Sequence, residues 1–217
     1  GSGDAIKIQG SLSRRIAVPF MKPAFKDSNF VYASKPHGLG IGDWVRITQN
    51  DSAWVTSSWA KNTVGQLLKV KSIEGDKITF ESPLRMNYDT ARKPLLLKFT
   101  PAENIGIECL KIHRKDNTAP RQTDNINFTY AVNCWVTGIE SENCTFSHIA
   151  ANYSSNLYIA KSYFHHGFDY GGGGRAYGVM LQTTSNECLI ENNVFEHLRH
   201  SMILQSGANG NVFSYNY

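Results

Sequence analysis

The sequence contains no run of about 18 apolar residues, so it offers no candidate membrane-spanning helix. None of its four cysteines forms a Cys-x-x-Cys pair, and there is no dense cysteine framework. This excludes the zinc-ribbon type of site and the disulfide-stapled mini-domain. Basic runs are missing as well. The 22 Lys and Arg are scattered among 18 Asp and Glu, for a formal net charge of +4, so the footprint of a nucleic-acid binder is not there. A mildly positive surface suits an acidic partner such as a uronic-acid polymer. No secretion signal follows the opening Gly1-Ser2-Gly3, which reads as an expression scar or an irregular cap.

The chain does contain β-branched alternation and turn residues. Residues 1–100 read as a small β-rich module. The stretches 65–73 and 77–82 alternate as strands, and the turn Glu74-Gly75-Asp76 joins them as a hairpin. Trp44, Trp54 and Trp59 fall inside this module. Exposed indoles make platforms for sugar rings, but large aromatics dominate burial energetics, so the three are expected in its core.

From about residue 101 to 217 the texture changes to short apolar segments punctuated by Asn, Ser and Gly. Segments beginning at Asn104, Asn133, Asn156, Glu187 and Gly210 align with one another at intervals of 29, 23, 31 and 23 residues. A unit of 23 without a leucine frame predicts a parallel β-helix, with the longer intervals due to insertions. Cys134, Leu157, Cys188 and Asn211 share one inward register; Val136, Ile159, Ile190 and Phe213 share the next. Repeated Asn suits coil corners because it tolerates left-handed backbone geometry. Cys134 and Cys188 lie two coils apart, about 9–10 Å at the usual strand spacing, too far for a disulfide. All four cysteines are expected as small buried thiols.

With these coils, and with the segment Glu191-Asn192-Asn193-Val194-Phe195, the chain resembles the right-handed parallel β-helix proteins of the pectate-lyase-like superfamily. The resemblance covers about residues 100–217. It implies an all-β fold, a right-handed parallel β-helix preceded by a small β-rich module. It also implies a secreted or cell-surface protein that acts on polysaccharide. Residues 177–206 are similar to coils of alginate-epimerase-like proteins, with Arg199-His200-Ser201 matching a basic-His-small triplet. Where those proteins carry Asp-Pro-His-Asp after Tyr-Gly, this chain has Val179-Met180-Leu181-Gln182, so the likeness stops short of the epimerase motif.

The repeat register makes a geometric prediction about the stretch 162–179. Phe164 aligns with Phe195, so His165 falls beside Glu196 and His166 beside His197, while Glu142 lies beside His165 on the preceding coil. The outer carboxylates of this column would be about 9–10 Å apart. That is near the upper end of the approximately 6.5–9.5 Å between an acid and a base that share a water. Residues 168–176 form an insertion after the His pair. Asp169, Tyr170, Gly172, Gly173 and Arg175 lie on it, and loops on rigid scaffolds often carry function.

The candidate catalytic set is His165, His166, Glu142, Glu196, Arg175, Arg199 and His200. Asp169, Tyr170, Gly172, Gly173, Tyr177 and His197 are candidates for substrate binding. In a lyase, His or Tyr removes the proton beside a carboxylate that Arg or a cation neutralises; in a hydrolase the carboxylates act as acid and base. No metal site is recognised, because consecutive strand residues point to opposite faces and a His-His pair alone is weak evidence. No cofactor is required, and calcium is the one that such proteins admit. The alternative to an enzyme is a non-catalytic carbohydrate-binding, adhesion or structural module whose His, Asn and Glu ladders only stack. The chain stops within a strand at Asn211–Tyr217, so a further chain or chain segment is expected to complete the β-helix.

Overall fold

The computed structural model describes residues 3–120 and 122–217, with Arg14 and Arg15 described by their backbone alone. Nearly all the regular structure is strand, in two compact units: the strand Ile6–Gln9 together with Ala102–Tyr217, and Gly10–Pro101.

The first unit is a right-handed parallel β-helix of three main parallel sheets, with the short parallel pair Ala102–Glu103 and Ala131–Val132 beside them. The first sheet orders the strands Ile6–Gln9, Ile126–Thr129, Ser147–Asn152, Tyr177–Gln182 and His200–Leu204. The second orders Gly106–Glu108, Trp135–Thr137, Tyr158–Ala160, Leu189–Glu191 and Val212–Ser214. The third, which carries the candidate site, orders Lys111–His113, Glu140–Glu142, Tyr163–His165 and Val194–Glu196. Gly106, Trp135, Tyr158, Leu189 and Val212 are partners in register, at the same intervals as the sequence repeat.

The corners explain the composition. Asn104, Asn133, Asn156, Glu187 and Gly210 turn the chain with φ of 60°, 54°, 56°, 58° and 65°. Asn and Gly reach this region at low cost, which is why they recur at this position. Between corners, every second side chain points inward. Cys134, Leu157 and Cys188 form one buried row and Val136, Ile159 and Ile190 another. Burial pushes the Cys188 thiol up to about 12 and raises that of Cys144. Cys109 departs from the expectation of four buried thiols: it is exposed, because it occupies a corner at φ 52° between the second and third sheets.

The boundary of the β-helix also differs from the expected division at residue 100. Ile6–Gln9 pairs in parallel with Ile126–Thr129 and seats Ile8 in the β-helix core. An alternation of four residues is too short to announce so distant a partner.

The second unit is one antiparallel sheet, ordered Ser11–Pro19, Leu95–Thr100, Trp44–Thr48, Gly65–Glu74, Lys77–Phe80 and Phe30–Tyr32. Gly75-Asp76 closes the hairpin between Gly65–Glu74 and Lys77–Phe80. The bridge Phe20–Ala33 and the bonds Met21 N to Tyr32 O and Ser34 N to Pro19 O join the two edge strands. The sheet therefore closes into a small barrel around Val45, Ile47, Leu68, Val70, Ile78, Phe80 and Leu96. Only one of the three indoles follows the expectation of burial. Trp44 is buried, whereas Trp54 and Trp59 are 51% and 67% exposed on the loop after Thr48. That loop lies outside the alternating strands, so nothing directs its side chains inward.

A Cβ at Gly178 would be driven into the Ser201 carbonyl oxygen and the Phe195 ring on the next coil, whereas one at Gly172 would meet open space. Gly178→Ala is therefore expected to destabilise by about 1–3 kcal/mol. It should lower the thermal midpoint, with Gly172→Ala as the unchanged control; equal midpoints would show that the coils yield at this contact.

Candidate functional site

On the third sheet the strand alternation sorts the side chains. Ile112, Ser141, Phe164 and Phe195 form the middle, inward row. On the outward face stand two parallel rows, Lys111, Glu140, Tyr163 and Val194 beside His113, Glu142, His165 and Glu196. The predicted alignment of Glu142, His165 and Glu196 is present as register.

The bonds do not run along that row. His165 Nε2 is 3.1 Å from Glu140 Oε1, and the His165 ring stacks on Tyr163 at 4.2 Å. The Tyr163 hydroxyl donates to Glu196, whose other oxygen lies 3.2 Å from His197 Nε2. Glu142 instead takes the Lys111 ammonium at 2.8 Å, shared with Glu140 at the same distance. Diagonal neighbours on a sheet face lie within reach of long side chains, and the tilt of His165 over Tyr163 selects the diagonal. The predicted column of one histidine between two carboxylates is thus corrected to a crossed network.

The histidines form a proton line. Glu140 is acceptor only, so His165 Nε2 donates to it, and in neutral His165 the Nδ1 is then an acceptor. His165 Nδ1 and His166 Nδ1 are 2.8 Å apart, so His166 Nδ1 is the donor there. When the His166 ring is neutral as well, its Nε2 is left with the lone pair, on a residue that is exposed at a corner with φ 60°. The His166 ring is 4.9 Å from that of His197, the equivalent corner of the next coil.

One buried histidine supports this corner from inside. His148 Nε2 donates to the His166 carbonyl at 3.1 Å, and its Nδ1 meets Ser141 Oγ at 2.7 Å. Burial lowers its pKa to about 3.

Hydrogen bonds set the charges of the face. Bonds from Lys111 hold the Glu140 and Glu142 carboxyls below their ordinary range, and the bond from Tyr163 does the same for Glu196. Lys111 is pushed up to about 12 by the two carboxylates, and the Tyr163 hydroxyl is raised by Glu196. All three carboxylates are therefore ionised at neutral pH. Glu140, Glu142 and His165 present three donor atoms within 4.8 Å of one another. Calcium takes roughly six to eight oxygen ligands. A set with one imidazole and a bridging ammonium does not suit it.

The glycine-rich loop docks beside this network. Tyr170 donates its hydroxyl to the His197 carbonyl at 2.9 Å and accepts from Gly167 N at 3.1 Å. Asp169 and Arg175 pair with each other and line a cleft of about 230 Å³ with Asn117, Ala119 and Thr145. Gly172 and Gly173 lie at the exposed end of the loop. Arg199 and His200 gather around Tyr177: the Arg199 guanidinium lies 5.9 Å from the ring centre and the His200 ring 5.3 Å. The third-sheet face thus collects Glu142, His165, His166, Glu196 and His197, with Tyr170 at its edge. Arg175 and Asp169 form a second group, and Arg199, His200 and Tyr177 a third. Sequence reasoning missed Lys111, His113, Glu140 and Tyr163; stepping two residues back from Glu142 and His165 would have found the last two.

The chain matches no family model and no curated protein. Among solved structures it is similar to the tailspike of Pseudomonas phage phi297, with a TM-score of 0.73 and 10% identity, covering 100% of this chain and 38% of that one. A second similar structure is the tailspike of Acinetobacter baumannii bacteriophage AP22, solved in complex with A. baumannii capsular saccharide. There the TM-score is 0.61 and the identity 16%, with 97% and 34% of the two chains covered. The tailspike of Pseudomonas phage LKA1 gives 0.54 and 14%, with 100% and 43% covered. This chain thus spans well under half the length of each. Identities so low establish the architecture alone: a right-handed parallel β-helix with a separate small β unit.

His148 makes a pH prediction. Its folded pKa of about 3 lies below its ordinary 6.5, so between these values the unfolded chain binds the extra proton and stability falls as pH falls. Asp124, raised by burial to about 7, acts in the opposite sense across the upper part of that window. Comparing wild type with His148→Gln cancels the Asp124 contribution. The variant should lose less stability between about pH 6.5 and 4, read by denaturant midpoints; parallel pH profiles would exclude His148 as the source.

Proposed function

We propose that the protein acts on polysaccharide and that the outward face of the third sheet cleaves a uronate-containing chain by β-elimination, with His166 as the base. The observation that carries this reading is the line Glu140, His165, His166, which ends at an exposed imidazole whose Nε2 has its lone pair free when both rings are neutral. In the reaction His166 Nε2 takes the proton next to the uronate carboxyl group. The electron pair forms the double bond to the neighbouring carbon, whose glycosidic C–O bond breaks, and the departing oxygen takes a proton from water. Glu140 and His165 orient His166 and stabilise its cation.

Hydrolysis fits less well. It needs one carboxyl group kept protonated, and all three on this face are held below their ordinary range. Charge places a demand on elimination too: Glu140, Glu142 and Glu196 oppose an acidic chain, and the Lys111 ammonium offsets part of that charge. One observation favours a second reading, saccharide binding without turnover: every carboxylate of the face is already partnered. The likeness to a tailspike solved with a capsular saccharide supports both readings, and both imply a secreted or surface setting where such polymers are met.

Release of unsaturated uronate ends from acidic polysaccharides, read by ultraviolet absorbance alongside a reducing-end assay, tests the mechanism. His166→Ala is expected to lower kcat by about 10²–10⁴, the usual worth of a general base. Glu140→Gln should cost less, with little change in KM. Reducing ends without unsaturation would establish hydrolysis instead, and silence in both assays would favour binding alone.

A further inference from the structure

The small barrel has a groove of its own, about 520 Å³, lined by Arg46, Thr48, Gln49, Asn50, Asn62, Arg92, Lys93, Leu95 and Leu97. That volume lies within the roughly 300–1,000 Å³ typical of small-molecule sites. Arg46 and Thr48 alternate outward from the core residues Val45 and Ile47, and Leu97 and Leu95 stand beside them on the neighbouring strand. Three cations and no carboxylate side chain are among the described residues that line it.

The groove is held in shape from below. Asp51 is buried, and its carboxylate accepts from the backbone N–H groups of Asn62, Thr63 and Val64 at 2.8, 2.9 and 3.1 Å. This ties down the loop that carries Asn62, Trp54 and Trp59. The Arg92 carbonyl accepts from Asn50 N at 2.9 Å, and the Arg92 guanidinium lies 3.9 Å from the centre of the Trp54 ring. Trp54 thereby holds Arg92 at the groove, which gives this exposed indole a role outside any core.

A second observation concerns the ligand. The cations stand beside the partly buried Leu95 and Leu97, so the groove pairs positive charge with an apolar floor. An inorganic anion answers only the charge. A sugar acid offers a carboxylate for the cations and an apolar C–H face for Leu95 and Leu97.

We propose that this groove is a second saccharide site that binds an anionic sugar residue of the uronate type, independently of the histidine face on the β-helix. Arg92 and Lys93 pair with the carboxylate, Leu95 and Leu97 meet the apolar C–H face of the sugar, and Trp54 is a positioning residue for Arg92.

The test is calorimetric titration of the full chain with oligogalacturonates, in a His166→Ala background so that no ligand is consumed. Malto-oligosaccharides and inorganic phosphate serve as probes for neutral sugar and simple anion. Adding Arg92→Ala with Lys93→Ala is expected to weaken or abolish one binding event by at least about tenfold, the loss of a charge-assisted contact. Trp54→Ala should weaken it less, with Trp54→Phe restoring part of it. Circular dichroism verifies that each variant is folded. If the histidine face binds no uronate, this remains the one event and is still lost, so the two proposals fail separately. Unchanged binding in the double variant, equal binding of the neutral oligosaccharide, or equal binding of phosphate would each overturn the assignment.

Discussion

Backbone hydrogen bonding between successive coils is the constraint on which the β-helix depends. Each inner strand of a sheet pairs with the coil before and the coil after, so one residue of slippage would turn every inward side chain outward. Corners between the sheets have to be short and repeatable. This chain meets that requirement with single left-handed residues, and with side chains that satisfy the backbone where sheet pairing lapses. Asn193 Nδ2 donates to the Ile159 carbonyl and Asn216 Nδ2 to the Ile190 carbonyl, while Ser154 and Ser185 Oγ accept from Ala131 N and Ser154 N. These short polar residues are thus part of the frame.

The same constraint builds the candidate site. The stacking of coils brings Glu140 and His165, Lys111 and its two carboxylates, and Tyr163 and Glu196 within hydrogen-bond reach although they lie 25 to 33 residues apart in sequence. The positioned groups then decide one another's state. Lys111 keeps Glu140 and Glu142 ionised, Glu140 directs the proton of His165, and His165 directs that of His166. Inside the coil, Ser141 and His148 fix the His166 carbonyl from the other side, so the corner is held by the core as well as by the surface.

On the two proposals, the barrel and the β-helix offer saccharide different chemistry. The histidine face is rich in carboxylates and suits a proton transfer that needs an oriented base. The barrel groove is cationic over an apolar floor, which suits retention of an acidic sugar without chemistry.

The sequence by itself determined the coils, their register and the corner residues, because period, Asn placement and inward alternation are local consequences of the repeat. From that register followed the pairing of Glu142, His165 and Glu196, and of His166 with His197. Tertiary structure decided which of these touch. The lean of His165 over Tyr163 sends its bond diagonally to Glu140, and side-chain direction of that kind is set by packing and is invisible to an alignment of coils. It likewise decided that Ile6–Gln9 belongs with a strand some 120 residues later, and that Trp54 lies outside on a loop pinned by Asp51. Contacts between segments without a shared period leave no trace in spacing, so only the folded chain could reveal them.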